Sequence, residues 1–228
     1  MTASTSQKLR EPQKSAYMNE RADAVRYAVL QRIAPALRHD MVVNLQPIGM
    51  IHELIQHRVA HQQADIAGLH ESTTKMTRFA KAALSACSDT ATWLERDPRA
   101  VVELVEGVGE CVALLNRAFG FMGFNLINEV RNDALQVPRD AIRHTLIAAL
   151  LAAVDTADVP SDVVLRSTLG RNDLALSLVV VPQSDKRVLQ VFEEAYRRLT
   201  WPDVEAVAVV ESIRFAKTSG GATLFFAR

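Results

Sequence analysis

The stretch LQRIAPALRHDMVVNLQPIGMIHELIQHRV, residues 30–59, has an apolar residue at nearly every third or fourth position. The stripe consists of Leu30, Ile33, Leu37, Met41, Leu45, Ile48, Ile51, Ile55 and Val59. Residues at that spacing share one face of a helix, and the pattern begins near Ala22, so it predicts a helix of roughly forty residues. Pro47 lacks a backbone N–H donor and predicts a kink inside this helix.

A second long helix follows the first. The stripe breaks in residues 60–75, and apolar residues recur again from Met76 onward. Ser72, Thr73 and Thr74 are candidates to cap the start of this second helix. The two helices predict an antiparallel hairpin, and two helices alone bury a continuous stripe poorly. Pairing of two hairpins into a four-helix bundle solves this problem, so we expect a homodimer.

Composition and charge exclude several classes of protein. Lys plus Arg and Asp plus Glu are both 26, and a chain without a basic surplus does not fit a general nucleic-acid binder. Hydrophobic residues make up 49 % of the chain, enough for a substantial core. The longest apolar run, LIAALLAAV at residues 146–154, is too short to span a bilayer, and the polar N-terminus shows no secretory signal. We therefore expect a cytoplasmic protein with no membrane anchor and no nucleic-acid partner.

The second half of the chain mixes helical and strand patterns. The predicted elements are a helix at 101–115, a strand within 119–130, a helix at 137–157, strands at 163–169 and 171–182, helices at 188–199 and 204–218, and a strand at 222–228. A Gly170-Arg171-Asn172-Asp173 turn is predicted between the two adjacent strands. This order predicts a mixed sheet covered by helices. The expected fold is therefore α+β, with a disordered tail at residues 1–16, a helical hairpin at 17–97 and an α/β sandwich at 98–228.

The first helix also carries one polar pair that could perform chemistry. His39 and Asp40 are adjacent, so they point about 100° apart around a helix and do not stack as residues one turn apart do. We expect His39 at the edge of the apolar stripe, partly exposed. An imidazole oriented by a carboxylate can act as a nucleophile toward phosphoryl groups. The alternative interpretation is an ordinary surface histidine beside a surface acid.

The sequence RHDMVVNLQPIGMI, residues 38–51, resembles the phosphoacceptor box of bacterial sensor histidine kinases. The matching positions are His39, Asp40, Met41, Leu45, Pro47 and Ile48. The family places this box on the first helix of a dimeric helical hairpin. This sequence departs from the box at Val42, where a basic residue is usual, and at Val43 and Asn44. The polar residue four after the histidine serves phosphatase chemistry in the family, and Val43 has no group that could orient a water.

Residues 98–228 resemble the ATP-binding domain of the same family in layout but not in chemistry. Ala152 stands at the magnesium-binding asparagine position, and Val204 and Ala206 stand at glycine positions of the phosphate loop. Asp185 is a poor substitute for the aspartate that reads adenine, because no glycine follows it. Phosphates need close backbone approach and their metal needs an oxygen ligand. The resemblance therefore implies a degenerate domain that does not use ATP.

Histidine phosphotransferases built as a kinase-like hairpin dimer with a degenerate ATP domain fit this mixture. The resemblance implies that His39 exchanges a phosphoryl group with the receiver domain of a response regulator, and that Asp40 orients His39 and accepts its proton. Arg38, Met41, Asn44 and Ile48 are the expected partner contacts. We expect no cofactor or metal in this chain, and Mg²⁺ on the receiver domain.

Two other functions remain open from the sequence. The chain could be a non-catalytic dimeric adaptor or inhibitor that binds a histidine kinase or a response regulator without phosphate transfer. It could also be a divergent histidine kinase that uses ATP through unrecognised residues.

Overall fold

The computed structural model describes residues 11–61, 65–131, 135–183 and 197–227. The helices of these residues are α1 Glu11–Ala60, α2 Ile66–Leu94, α3 Leu104–Phe121, α4 Arg139–Asp155 and α5 Trp201–Val210. The strands are β1 Val101–Glu103, β2 Asn125–Asn128, β3 Gln136–Pro138, β4 Ser161–Leu169, β5 Asp173–Pro182, β6 Arg214–Thr218 and β7 Gly221–Ala227. Two long helices followed by a mixture of helices and strands confirm the predicted α+β class.

The chain divides into two compact units. One unit is residues 33–96, which we call the hairpin unit, and the other combines residues up to Arg32 with those from Asp97 onward, which we call the α/β unit. The sequence analysis assigned residues 17–97 to the hairpin, whereas residues 17–32 group with the α/β unit. The predicted disordered tail is wrong for residues 11–16, because α1 begins at Glu11, while residues 1–10 lie outside the described residues.

Both long helices begin earlier in the chain than the sequence predicted. The helix α1 has 50 residues and continues through both Pro35 and Pro47. The cap of α2 is Asp65, whose carboxylate accepts a hydrogen bond from the backbone N–H of Gly68 at 2.6 Å. The predicted caps Ser72, Thr73 and Thr74 lie inside α2. Their hydroxyl groups donate to backbone carbonyls one turn earlier, which is how Ser and Thr are accommodated in a helix interior.

The α/β unit contains a five-stranded mixed sheet with the strand order β2-β4-β5-β7-β6. Strands β2 and β4 are parallel, and the other neighbours are antiparallel. Strands β4 and β5 form the predicted hairpin, with Leu169 opposite Leu174. A separate antiparallel pair joins β1 to β3, which the sequence analysis did not predict. The mixed sheet that the sequence indicated is therefore confirmed.

The predicted helix at 204–218 is wrong in its second half. The helix α5 ends at Val210, and residues Arg214–Thr218 form β6 at the edge of the sheet. Ser212 has a positive φ of 58°, a left-handed conformation that terminates a helix. Strand pairing with β7 then determines the conformation of β6. The predicted helix at 188–199 lies mostly outside the described residues.

The core of the α/β unit is built around α4. Its apolar residues from Leu146 to Ala153 are almost completely buried, as are Phe119 and Phe124, whose rings meet edge to face with centroids 6.4 Å apart. One glycine in this unit is required by the close approach of two strands. Gly221 has φ +152°, and a Cβ there would lie 2.0 Å from the carbonyl oxygen of Leu178.

Candidate functional site

The structure places His39 and Asp40 on the surface of α1 in the hairpin unit. The His39 side chain is 46 % exposed and that of Asp40 is 64 % exposed. Their closest contact, between His39 Nδ1 and Asp40 Oδ1, is 3.3 Å long. A carboxylate only accepts hydrogen bonds, so this contact requires the neutral imidazole to carry its proton on Nδ1. The lone pair of the ring then lies on Nε2.

The position of His39 around α1 differs from the expected stripe edge. Successive helical residues are about 100° apart around the axis, so Leu37, Met41 and Ile48 lie about 160–200° from His39. Leu37 is 8 % exposed, and Met41 and Ile48 are half-buried. His39 therefore lies on the side of α1 opposite the apolar stripe. The predicted partial exposure of His39 is confirmed, at 46 %, whereas its predicted place at the edge of the stripe is not.

The same geometry corrects the predicted partner contacts. Met41 and Ile48 belong to the stripe, and Asn44 lies about 140° from His39, so these side chains do not form one face with the imidazole. Asn44 is half-buried, and its Nδ2 donates to the backbone carbonyl of Asp40 at 2.9 Å. Arg38 is exposed and lies about 100° from His39. Of the predicted partner contacts, only Arg38 lies beside the histidine on the exposed surface, and the predicted catalytic residue Asp40 lies beside it as well.

A different set of residues surrounds His39. Among residues 35–50, the side chains within about 60° of it are those of Pro35, Ala36, Val42, Val43, Gln46 and Met50, which together with His39 we call the His39 face. Val42 is 47 % exposed, Val43 is 49 % exposed and Met50 is 65 % exposed. Sequence reasoning missed this face because it followed the apolar stripe. The signal was present in the second, shorter apolar row on the other side of the same helix.

The residues one helical turn away from His39 in both directions are Pro35, Ala36, Val42 and Val43. None of their side chains carries a hydrogen-bonding group. The neighbours of the imidazole one turn away on its own helix are therefore apolar, and none of them offers a group that could hold a hydrolytic water.

The positions that the resemblance connects with ATP lie in the core of the α/β unit. Ala152 on α4 and Val204 and Ala206 on α5 are all 0 % exposed. Asp185 and its neighbours lie outside the described residues. Ala152 has no oxygen to offer a metal ion, and the side chains of Val204 and Ala206 fill space that a glycine would leave open.

No family model matches the chain, and no curated protein matches it. Among solved structures, the chain is similar to the histidine kinase AdeS of Acinetobacter baumannii, with 12 % identity over 79 % of this chain and 94 % of that chain and a TM-score of 0.42. The histidine kinase ThkA in complex with the response regulator TrrA has 17 % identity over 93 % of this chain and 65 % of that chain, with a TM-score of 0.39. A bacterial phosphotransferase has 13 % identity over 86 % and 93 %, with a TM-score of 0.35.

Proposed function

We propose that the chain is a histidine phosphotransfer protein of two-component signalling. His39 exchanges a phosphoryl group with an aspartate on the receiver domain of a response regulator, and the chain does not phosphorylate itself with ATP. The observation that carries this proposal is a His39 side chain that is 46 % exposed and whose Nδ1 contacts Asp40 Oδ1 at 3.3 Å. The buried alanine and valine side chains at positions 152, 204 and 206 support transfer without ATP.

The proposed step is a nucleophilic displacement at phosphorus. The Nε2 lone pair of His39 attacks the phosphoryl group, the Nε2–P bond forms, and the P–O bond to the receiver aspartate breaks with its electrons staying on the carboxylate. The ring then carries a positive charge, and Asp40 beside Nδ1 offsets it or accepts the Nδ1 proton. Mg²⁺ on the receiver would neutralise the transferred oxygens, so this chain supplies the nucleophile and the docking surface.

The His39 face is the proposed docking surface for the receiver domain. Exposed apolar side chains such as Val42, Val43 and Met50 around a single reactive group are typical of a partner interface, with Arg38 and Asp40 as a polar rim. The proposed assembly is a homodimer, in which the hairpin units of two copies form a four-helix bundle. In the described part of the chain, no helix combines the length and the apolar character needed to cross a bilayer. A receiver partner would place the protein in the cytoplasm.

A phosphate-transfer assay tests the proposal. The chain is incubated with a panel of receiver domains carrying radiolabelled aspartyl phosphate, and we expect acid-labile label on the chain. His39→Gln should abolish the label, while His52→Gln, an exposed histidine on the same helix, should retain it. An exposed ion pair contributes up to about 1 kcal/mol, so Asp40→Asn should slow transfer about fivefold or less. Label that persists in His39→Gln would contradict the proposal.

The same assay distinguishes the alternative functions. An adaptor or inhibitor would bind a receiver or a kinase stably, with no label on the chain from any receiver. A divergent kinase would be stabilised by ATP, because a ligand that binds only the folded state raises the unfolding temperature. Thermal unfolding with and without Mg²⁺–ATP therefore tests this third function, and we expect no shift.

A further inference from the structure

Residues 17–32 lie in the N-terminal half of α1, and we call this segment the strap. One face of the strap is buried. Ala22 and Val25 are 0 % exposed, Ala28 is 1 % exposed and Val29 is 4 % exposed. They recur every three or four residues, so they lie on one side of the helix. The strap belongs to the same compact unit as the α/β elements.

Three arginines of the strap pair with three carboxylates of the α/β elements. Arg21 Nε is 2.8 Å from Asp203, Arg26 Nη2 is 2.6 Å from Glu211, and Arg32 Nη1 is 2.5 Å from Asp155. The side chains of these carboxylates are 2 %, 9 % and 8 % exposed, respectively. The pairs join α1 to both ends of α5 and to the end of α4, so the strap is fixed along its length.

Each carboxylate also bonds within the helical layer of the α/β unit. Asp203 accepts hydrogen bonds from the backbone N–H and the hydroxyl of Thr200 at 2.9 and 2.8 Å, which caps the start of α5. Asp155 accepts from the backbone N–H of Leu199 at 2.7 Å. Glu211 contacts His144 Nδ1 at 2.8 Å. If the strap moved away, Asp203 would still be paired with Arg197, whereas Asp155 and Glu211 would lose the arginine that contacts them and keep the partners named here.

The arginine–carboxylate pairs and the apolar face of the strap contribute differently to holding the strap in place. Truncating one member of a buried ion pair leaves a charge without its partner and is more disruptive than removing an exposed charge. The apolar contacts of Ala22, Val25, Ala28 and Val29 involve small side chains, which bury little area each. Substitution of one of the three arginines should therefore loosen the strap more than truncation of one of these small apolar side chains.

We propose that the strap is an electrostatic latch, held on the α4–α5 face by Arg21, Arg26 and Arg32. When the latch is closed, this segment of the chain occupies the face and excludes any other ligand or partner from it. When the arginine pairs are broken, the strap leaves while the sheet and α4 remain folded, and the α4–α5 face becomes accessible. This device is independent of phosphotransfer at His39.

Amide hydrogen exchange of the full chain tests the latch. In the triple variant Arg21→Gln, Arg26→Gln, Arg32→Gln, we expect peptides from residues 17–32 to exchange at least about tenfold faster than in the wild type. Peptides from β4, β5 and β7 should keep their protection. The matched control removes three exposed arginines elsewhere, with Arg78→Gln, Arg99→Gln and Arg171→Gln, and should leave the strap protected.

The single variants keep the test decisive if the triple variant loses the whole fold. Arg26→Gln and Glu211→Gln break the same pair from its two sides, so each should accelerate exchange of the strap and leave the sheet protected. Unchanged protection of residues 17–32 in both would show that apolar packing alone holds the strap. Loss of protection in the strap and the sheet together, in every variant, would show that the strap is ordinary core. Either result overturns the latch.

Discussion

The hairpin unit and the α/β unit bury their apolar residues to very different extents. In α4, every residue from Thr145 to Val154 is buried, whereas in the 29 residues of α2 only Ser72 and Ala83 are. Large apolar side chains of the hairpin unit are exposed, among them Met50 at 65 %, Leu84 at 69 % and Ile66 at 88 %. The α/β unit therefore has a core that one chain completes, and the hairpin unit has apolar surface that one chain leaves uncovered. The difference favours a partner or a second copy on the hairpin unit.

Two phenylalanines on α3 give the largest expected effect. Phe119 is 0 % exposed and contacts Phe124, whereas Phe121 is 66 % exposed. Phe119→Ala should lower the free energy of unfolding by about 3–5 kcal/mol, because it leaves a cavity in a complete core. Phe121→Ala should change it by about 0.5 kcal/mol or less. Urea unfolding measures both, and similar losses for the two variants would contradict the burial of Phe119.

Acid should destabilise the α/β unit through Glu211. Burial raises the pKa of Glu211, but hydrogen bonds and charge from His144 and Arg26 outweigh it and lower the pKa to about 2 from a usual value of 4.5. A pKa lowered in the folded state means that the stabilisation is fully present above pH 4.5 and is lost as the pH falls toward 2. We expect Glu211 to account for about 2 kcal/mol of this loss.

Glu211→Gln is the control for that acid transition. The variant should be less stable than the wild type at pH 7, and its stability should fall less steeply between pH 4.5 and 2. The measurement is urea unfolding of both proteins at a series of pH values. Parallel pH profiles would show that Glu211 is not the group that titrates.

Dilution should affect the two units differently if the hairpin unit pairs with a second copy of the chain. A hundredfold dilution should reduce the amide protection of residues 33–96 by about tenfold, which corresponds to about 1.4 kcal/mol, because dissociation of a dimer depends on concentration. Protection of β4, β5 and α4 should not change, so these peptides are an internal control. Concentration-independent protection in both units would contradict the homodimer.

The sequence predicted the elements whose signal is local and failed where distant contacts decide. The apolar spacing from Leu30 to Val59 predicted α1, and the turn at Gly170 between two alternating segments predicted the β4–β5 hairpin. The segment that forms strand β6 was predicted to be helical, because its strand conformation depends on pairing with β7. The sequence did not indicate that residues 17–32 belong to the α/β unit, because the carboxylates that they pair with, including Asp155 and Asp203, are distant in sequence.

The sequence identified the two central residues of the candidate site, but not the residues that share their face of the helix. His39 and Asp40 were found from their neighbours in the sequence, and the structure shows their contact. The predicted companions Met41 and Ile48 turned out to lie on the far side of α1 from His39. The prediction combined His39 with Met41 and Ile48 in one docking surface, although both belong to the apolar stripe and are half-buried. Counting about 100° per residue from His39 would have identified Val43 and Met50 instead.

The smallest expected effect on stability, and the one that tests the surface character of the hairpin unit, is at Val43. This side chain is 49 % exposed one turn from His39, so Val43→Asn should change the free energy of unfolding by about 0.5 kcal/mol or less. An amide at this position can hold a water near a phosphoryl group on Nε2, so phospho-His39 should hydrolyse up to about tenfold faster. The measurement is the lifetime of labelled phosphohistidine after removal of the receiver. Val59→Asn, at a similarly exposed valine farther along α1, should leave the lifetime unchanged. Equal lifetimes in the wild type and Val43→Asn would show that the apolar surround of His39 does not protect the phosphoryl group.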